Sequence, residues 1–285
     1  MASRIWFITG VSSGLGRSLA EAVAARGDIA IGTLRQDAQL AAYNALAPGR
    51  TVGVKLDVND HARVTAVVQQ VITQFGRIDV LVNNAGYGLL GAVEEVSDAE
   101  ARAQLETNVF GALAVTRTVL PHMRRQKAGH ILQISSIGGY NGTPGAGIYN
   151  ASKFALEGFS EALAKEAGPL GIRVTLVEPG PFRTKWAGES LKRAATTIPA
   201  YADTPAGATI GRITGYGSTG SQPGDPDLAA AAMIKAVDSP NPPLRLVLGA
   251  LAISAFKAKL EATRKELEAW EAIGLATDAP PKVGR

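Results

Sequence analysis

Tyr149 and Lys153 stand four residues apart in the run Tyr149-Asn150-Ala151-Ser152-Lys153. From Tyr149 through Gly158, alanine, leucine and phenylalanine recur at helical spacing, so the run reads as the opening of a helix. Residues at i and i+4 share one helical face, which brings the ammonium close to the phenol without help from elsewhere in the chain. A phenol with a pKa of about 10 is a poor acid–base group at neutral pH. A cation about 5 Å away, at an effective dielectric of about 20, favours the phenolate by about 3 kcal/mol, roughly two pKa units. Tyr149 is therefore expected to titrate low enough to give a proton to a carbonyl oxygen or take one from an alcohol. In isolation such a pair is an accident of a helix surface. Its meaning depends on what the rest of the chain sets beside it.

The elements that must position the pair begin at the N-terminus. Arg4 to Thr9 is a short apolar run that stops at glycine, as a buried parallel strand does. It enters Thr9-Gly10-Val11-Ser12-Ser13-Gly14-Leu15-Gly16, followed by a helical pattern from Arg17 to Arg26. Strand, glycine loop, helix is the arrangement in which backbone amides and a helix N-terminus cradle a phosphate. The spacing G-x3-G-x-G differs from the G-x-G-x-x-G dinucleotide fingerprint, and a plain tight turn is the bland alternative. A second strand, Ile29 to Thr33, ends where a dinucleotide fold would meet the adenosine ribose. Leu34 and Arg35 stand there instead of a carboxylate, so a ribose 2′-phosphate finds a guanidinium, and NADP is favoured over NAD. Asp37, two residues on, argues the other way.

Helical Gln36–Ala47 and strand Thr51–Leu56 lead to Asp57-Val58. A helix capped by Asp60 runs to about Gln74, and strand Ile78–Val82 leads into Asn83-Asn84-Ala85-Gly86. Ser97 or Asp98 caps a long helical stretch to about Gln126, interrupted near Gly111 and Pro121. Inside it Asn108, taken alone, reads as a tolerated helical asparagine. Strand His130–Ile134 delivers Ser135-Ser136, a turn-rich loop follows, and the helix carrying Tyr149 continues to about Ala167. Strand Ile172–Val177 ends in Glu178-Pro179-Gly180-Pro181-Phe182-Arg183-Thr184. Residues 185–226 turn to Gly, Thr, Pro and Ala, and are expected to form a partly helical substrate lid. Helix Asp227–Val237, strand Leu244–Leu248 and a long helix Ala250–Ile273 follow, with a frayed end around Pro280-Pro281. The alternation predicts an α/β fold, a doubly wound parallel seven-stranded sheet in a single domain over residues 1–285. Ligands of such sheets sit at the carboxyl ends of the strands, which gathers the loops named above along one cleft.

Composition narrows the classes. The chain has 285 residues, 46% of them hydrophobic, enough for one large core. A net charge of +4 is mild, and the densest basic spot, Arg124, Arg125 and Lys127, sits at a helix end, so a nucleic-acid partner is not expected. With no cysteine there are no disulfides, thiol nucleophiles or thiolate metal sites. His61, His122 and His130 are scattered and read as structural. An apolar strand pattern begins within four residues of the N-terminus and no apolar run reaches bilayer length, so a cytoplasmic protein without a membrane partner is expected.

With these pieces placed, the chain resembles the short-chain dehydrogenase/reductase superfamily over nearly its whole length. The resemblance rests on TGVSSGLG at Thr9–Gly16, NNAG at Asn83–Gly86, Asn108, Ser136 thirteen residues before Tyr149, YNASK at Tyr149–Lys153 and PGPFRT at Pro179–Thr184. EPGPFRT, the long lid and the PPLRLVLG strand look most like the hydroxysteroid- and retinol-dehydrogenase-like branch. The resemblance implies a Rossmann-type fold and hydride exchange between a nicotinamide and a carbonyl or secondary alcohol. Tyr149 would be the acid–base group, and Lys153 would lower its pKa and hold the nicotinamide ribose. Ser136 would bind the substrate oxygen, and Asn108 would position a water linking Lys153 to solvent. Gly10, Ser12, Ser13, Gly14, Leu15, Gly16 and Arg35 would hold phosphates, and Asp57 and Val58 the adenine. Asn84, Ala85 and Gly86 would lie at the adenosine side and ribose, and Pro179, Gly180, Phe182 and Thr184 beside the carboxamide and pyrophosphate.

Two other classes share this scaffold. Halohydrin-dehalogenase-like lyases replace the lysine and lose the glycine loop; non-catalytic NADP sensors lose the tyrosine or the lysine. Lys153, Tyr149 and the loop are all present here. Tyr87, Leu89, Ile137, Tyr140, Trp186 and Tyr201 are expected to line an apolar substrate pocket. Relatives pair through the helices carrying Asn108 and Tyr149, so a homodimer or homotetramer is implied.

Overall fold

The strands alternate their side chains between two buried faces, and that alternation organises the molecule. In β1 (Ile5–Ile8) all four residues are buried. Ile5 and Phe7 join one hydrophobic cluster, while Trp6 and Ile8 join another on the opposite face. In the computed structural model, residues 3–188 and 190–279 are described; the expected frayed end at Pro280-Pro281 lies outside them.

After β1 come α1 (Gly14–Ala25), β2 (Ile29–Leu34), α2 (Ala38–Asn44), β3 (Thr51–Lys55), α3 (His61–Phe75), β4 (Val80–Asn83) and a short β5 (Gly88–Leu90). Then follow α4 (Asp98–Leu105), a π-helical turn Glu106–Gly111, α5 (Ala112–Gln126), β6 (Gly129–Ile134), α6 (Gly147–Ala167) and β7 (Ile172–Pro179). The chain closes with β8 (Leu191–Arg193), α7 (Pro205–Thr219), α8 (Pro226–Asp238), β9 (Arg245–Leu248) and α9 (Ala250–Leu275). Seven parallel strands form one sheet in the order β3-β2-β1-β4-β6-β7-β9. Valines of α3 and α5 with Leu163 of α6 cover one face, and Leu19 and Val23 of α1 with Met233 of α8 cover the other. This is a single-domain, Rossmann-type sheet flanked by helices, as the alternation predicts.

Local choices explain the boundaries. Asp60 caps α3 by accepting from the Arg63 amide at 2.9 Å, and Gly76 ends it at φ +77°. Ser97, not Asp98, caps α4, and it exchanges hydrogen bonds with Glu100 in a capping box. Pro121 stays inside α5 without breaking it. The interruption near Gly111 takes the form of the π-helical turn.

Two features were not expected. α1 starts at Gly14, inside the glycine loop rather than at Arg17. β5 and β8 form a separate two-stranded parallel sheet, Gly88 to Leu90 against Leu191 to Arg193. Segment 185–226 is partly helical, as expected: it contains α7 as well as β8, and the Ile198 amide donates to Glu95 Oε1 at 2.8 Å.

Candidate active site

β1 lies between β2 and β4, so the chain's direction of winding reverses at that point. The loops leaving β1 and β4 therefore part and leave a crevice at their carboxyl ends. Gly10 and Gly14 sit at φ +71° and +62°, where only glycine is unstrained. Gly16 is needed for closeness: a Cβ there would lie 2.4 Å from Asn84 Nδ2 and 2.5 Å from the Gly10 carbonyl. Asn84 braces the loop by donating to the Thr9 and Gly10 carbonyls at 2.9 and 2.7 Å. The Asn84 and Ala85 amides donate to Thr9 Oγ1 at 2.9 and 3.0 Å. Ser13 leaves the first amides of α1 without a side-chain cap, and its first turn has no acidic residue. Uncapped amides on a positive helix end, held against tightly packed glycines, suit a dinucleotide phosphate.

A continuous cavity of about 680 Å³ starts from this loop. Gly10, Ser12, Ser13, Gly14 and Leu15 line it, while Gly16 supports the loop from behind. Arg35, Asp57 and Val58 lie at one end, and Asn84, Ala85 and Gly86 along its floor. Pro179, Gly180, Phe182 and Thr184 close it from above the loop; a Cβ on Gly14 would meet Thr184 at 3.3 Å. Asp37 pairs with Lys55 in an exposed ion pair.

Tyr149, Lys153 and Ser136 meet at the other end. α6 presents Tyr149 and Lys153, with the Lys153 ammonium 6.0 Å from the phenol ring centre. Lys153 Nζ donates to the Ile134 carbonyl at 2.7 Å. Both side chains are buried, and burial decides their titration. It pushes the Tyr149 hydroxyl up to about 12, against a Ser136 hydrogen bond that pulls down, and brings Lys153 down to about 8. The expected lowering of Tyr149 by the lysine is thus overturned. The expectation left out the cost of burying a charged phenolate: the pair is enclosed, and the Trp186 ring lies 5.5 Å from the phenol.

Asn108 sits in the π-helical turn, fully enclosed. Its amide donates to the Tyr87 carbonyl at 3.0 Å and to Ser152 Oγ at 3.1 Å, and accepts from the Tyr87 amide at 3.1 Å. It clamps the strand entering β5 to α6 one residue before Lys153. Both amide hydrogens are engaged by protein, so a relay water would have to use its carbonyl groups.

Several working groups were not evident from sequence. Both serines line the cavity, but the Ser135 hydroxyl is engaged, donating to Glu157 Oε1 at 2.6 Å, while Ser136 is the one that hydrogen-bonds Tyr149. Glu157, Glu161 and Glu178 all pair with Arg245 of β9. Burial, followed by the charge of Glu157, pushes the Glu178 carboxyl up to about 7. The one clue was an acid ending an otherwise apolar strand. Asn150 donates to the Gly138 carbonyl at 3.0 Å and accepts from the Thr143 amide at 2.8 Å, stapling the turn-rich loop over Ser136.

Of the expected pocket residues, Tyr87, Ile137 and Trp186 line the cavity. The other three do not. Leu89 is buried in β5, Tyr140 stacks on Phe256 at 3.8 Å, and the Tyr201 hydroxyl donates to Glu94 at 2.7 Å. Leu90, Ile213 and Tyr216 take their places. The histidines lie elsewhere: His61 is 3.7 Å from Glu106, His122 contacts Arg125, and buried His130 meets Thr175. Among the described residues no cluster of three His, Asp or Glu could hold a metal, and no helix is long and apolar enough to cross a membrane.

Known proteins match this arrangement. Residues 4–195 fit the family model described as short chain dehydrogenase. The chain is 40% identical to oxidoreductase BOA17 of Botryotinia fuckeliana over 278 residues, covering 96% of this chain and 99% of that protein. Retinol dehydrogenase 8 of Bos taurus is 36% identical over 267 residues, covering 86% and 81%. The solved structure of a short-chain dehydrogenase from Streptomyces avermitilis superposes with a TM-score of 0.90 at 41% identity, covering 97% and 99%. The chain belongs to the short-chain dehydrogenase/reductase superfamily, in its retinol-dehydrogenase-like branch, and is an oxidoreductase of the class that acts on CH–OH and C=O groups.

Proposed function

We propose that the protein is an NADP(H)-dependent reductase exchanging hydride between the nicotinamide and a predominantly apolar carbonyl compound or secondary alcohol. One observation carries the reading: Ser136, Tyr149 and Lys153 converge in the same cavity that begins at the uncapped N-terminus of α1 and Arg35. The glycine loop would hold the pyrophosphate, Arg35 the 2′-phosphate, Asp57 and Val58 the adenine, and Lys153 the nicotinamide ribose. When bound, the nicotinamide supplies or accepts the hydride.

The side chains supply the proton and the field. With its hydroxyl pushed up to about 12, Tyr149 is a neutral phenol at pH 7, the form that gives a proton to a carbonyl oxygen as charge builds there. Ser136 donates a hydrogen bond to the same oxygen. Lys153, charged below about 8, stabilises the phenolate left behind. Asn108 holds the two segments on which that geometry depends and would help anchor a water leading from Lys153 to solvent. Residues 185–226 act as the lid, with Trp186 and Ile213 keeping water from the reacting carbon. A cytoplasmic setting is part of the same proposal, as is a homodimer or homotetramer.

The test mixes purified protein with NADPH or NADH and a panel of ketones, aldehydes and alcohols, following nicotinamide absorbance. Turnover of hydrophobic carbonyls with preference for NADPH is expected. NADPH binding with no turnover of any substrate would refute the reading in favour of a sensor, and preference for small charged substrates would refute an apolar pocket.

A further inference from the structure

We propose that α9 is a self-association arm through which two copies of this chain pair antiparallel. The first turns of the helix are fixed to the body: Ala252 is buried, and the Phe256 ring stacks on Tyr140 with 9° between planes. From Lys257 to the last described residue every side chain is exposed. Residues 257–275 thus project for about 28 Å, at about 1.5 Å per residue.

The projecting part is not a polar spacer. Ile253, Phe256, Leu260, Thr263, Leu267 and Trp270 follow the alternating three- and four-residue spacing of a coiled-coil seam. The seam is a continuation of the face that docks on Tyr140. Leu260, Leu267 and Trp270 are 50%, 68% and 66% exposed, large apolar side chains that gain by burial. A stripe of this kind on a lone helix calls for a partner.

Charge and register identify the partner as a second copy. Lys257 and Lys259 flank the seam near the body, and Glu266, Glu268 and Glu271 lie toward the far end. Turned antiparallel on itself, the seam sets Leu260 against Trp270 and Thr263 against Leu267, and the two-fold repeats both layers. On one side of the seam Lys257 then comes within two residues, about 3 Å, of the level of Glu271 of the other copy, a pairing of opposite charge. On the other side Glu266 meets its own counterpart. Arg264 meets its own counterpart, but its charge is already met by Glu261 and Glu268 on the same helix. Parallel pairing would instead set Trp270 against Trp270 and lysines level with lysines. In the antiparallel register residue 275 of one copy reaches the level of residue 255 of the other, so each projecting segment fits the length of its mate and ends at the other body. Four basic residues (Lys257, Lys259, Arg264, Lys265) balance four acidic ones (Glu261, Glu266, Glu268, Glu271), which gives the helix no net attraction to an anionic lipid surface. The interface is isologous and closes at two copies, separate from any pairing through α5 and α6.

The test uses the full-length protein. Sedimentation at micromolar concentration should give an assembly whose mass is halved in a variant carrying Leu267→Glu and Trp270→Glu, with the far-ultraviolet circular dichroism retained. Because the chain has no cysteine, orientation can be read directly with Lys257→Cys and Glu271→Cys made as separate proteins. Mild oxidation should link the two only when they are mixed, and neither by itself. A double-glutamate variant of unchanged mass would overturn the proposal, as would cross-linking of Lys257→Cys alone. So would a monomer in solution that co-sediments with vesicles of phosphatidylcholine and phosphatidylglycerol, which would make α9 a lipid-surface helix.

Discussion

Tyr149 and Lys153 are enclosed together, yet burial moves them in opposite directions, the phenol up to about 12 and the ammonium down to about 8. Both shifts favour the uncharged form. In the reduction direction Tyr149 is therefore protonated across the accessible range, and Lys153 is the group whose state changes. Lys153 is charged below its lowered pKa and loses its proton as pH rises through about 8, so kcat/KM for reduction should be level at neutral pH and fall above about 8. Lys153→Met should lower the plateau and abolish that inflection; an inflection surviving in the variant would show that another group titrates. Arg35, proposed to hold the 2′-phosphate, bears on a different property. A guanidinium paired with a 2′-phosphate contributes about 2 kcal/mol, so Arg35→Ser should weaken NADPH binding roughly thirtyfold and leave NADH nearly unchanged. Equal losses for both cofactors in fluorescence titrations would contradict the assignment.

The elements show which signals are local. The glycine loop, the strands and the helix of Tyr149 were legible because each is encoded by periodicity or by glycine within a few residues. The π-helical turn was not, because its reason lies elsewhere: Asn108 answers Tyr87 and Ser152, which are close only in three dimensions. β5 and β8 were missed for the same reason, since three-residue strands carry no pattern and pair across a hundred residues of chain. The pocket was half legible. Aromatic type marked Tyr87 and Trp186, but nothing local revealed that Tyr140 would turn to Phe256. Gly16 offers a test at this scale. A methyl group there would collide with Asn84 and with the Gly10 carbonyl, so Gly16→Ala should lower stability by about 1–3 kcal/mol and weaken dinucleotide binding. A variant with the parent's melting temperature and NADPH affinity would show that the loop has room to spare.

Across the molecule, one topological event explains why distant motifs meet. Because all seven strands run parallel, the loops after β1, β4, β6 and β7 open on the same sheet edge, and the reversal at β1 parts them into a crevice. Arg245 then ties α6, β7 and β9 together beneath that edge through Glu157, Glu161 and Glu178. The expected alternation of strands and helices was enough to foresee the sheet, while the acidic network needed the coordinates, its members being scattered from residue 157 to 245. Tyr149 and Lys153, the pair proposed to move the proton, line the same cavity as the glycine loop. The most direct measurement of that link compares Tyr149→Phe with the parent for NADPH affinity and for single-turnover carbonyl reduction. Unchanged NADPH affinity with turnover slowed about 10²- to 10⁴-fold is the expected result, as for loss of a positioned proton donor. Full turnover by the phenylalanine variant would contradict it.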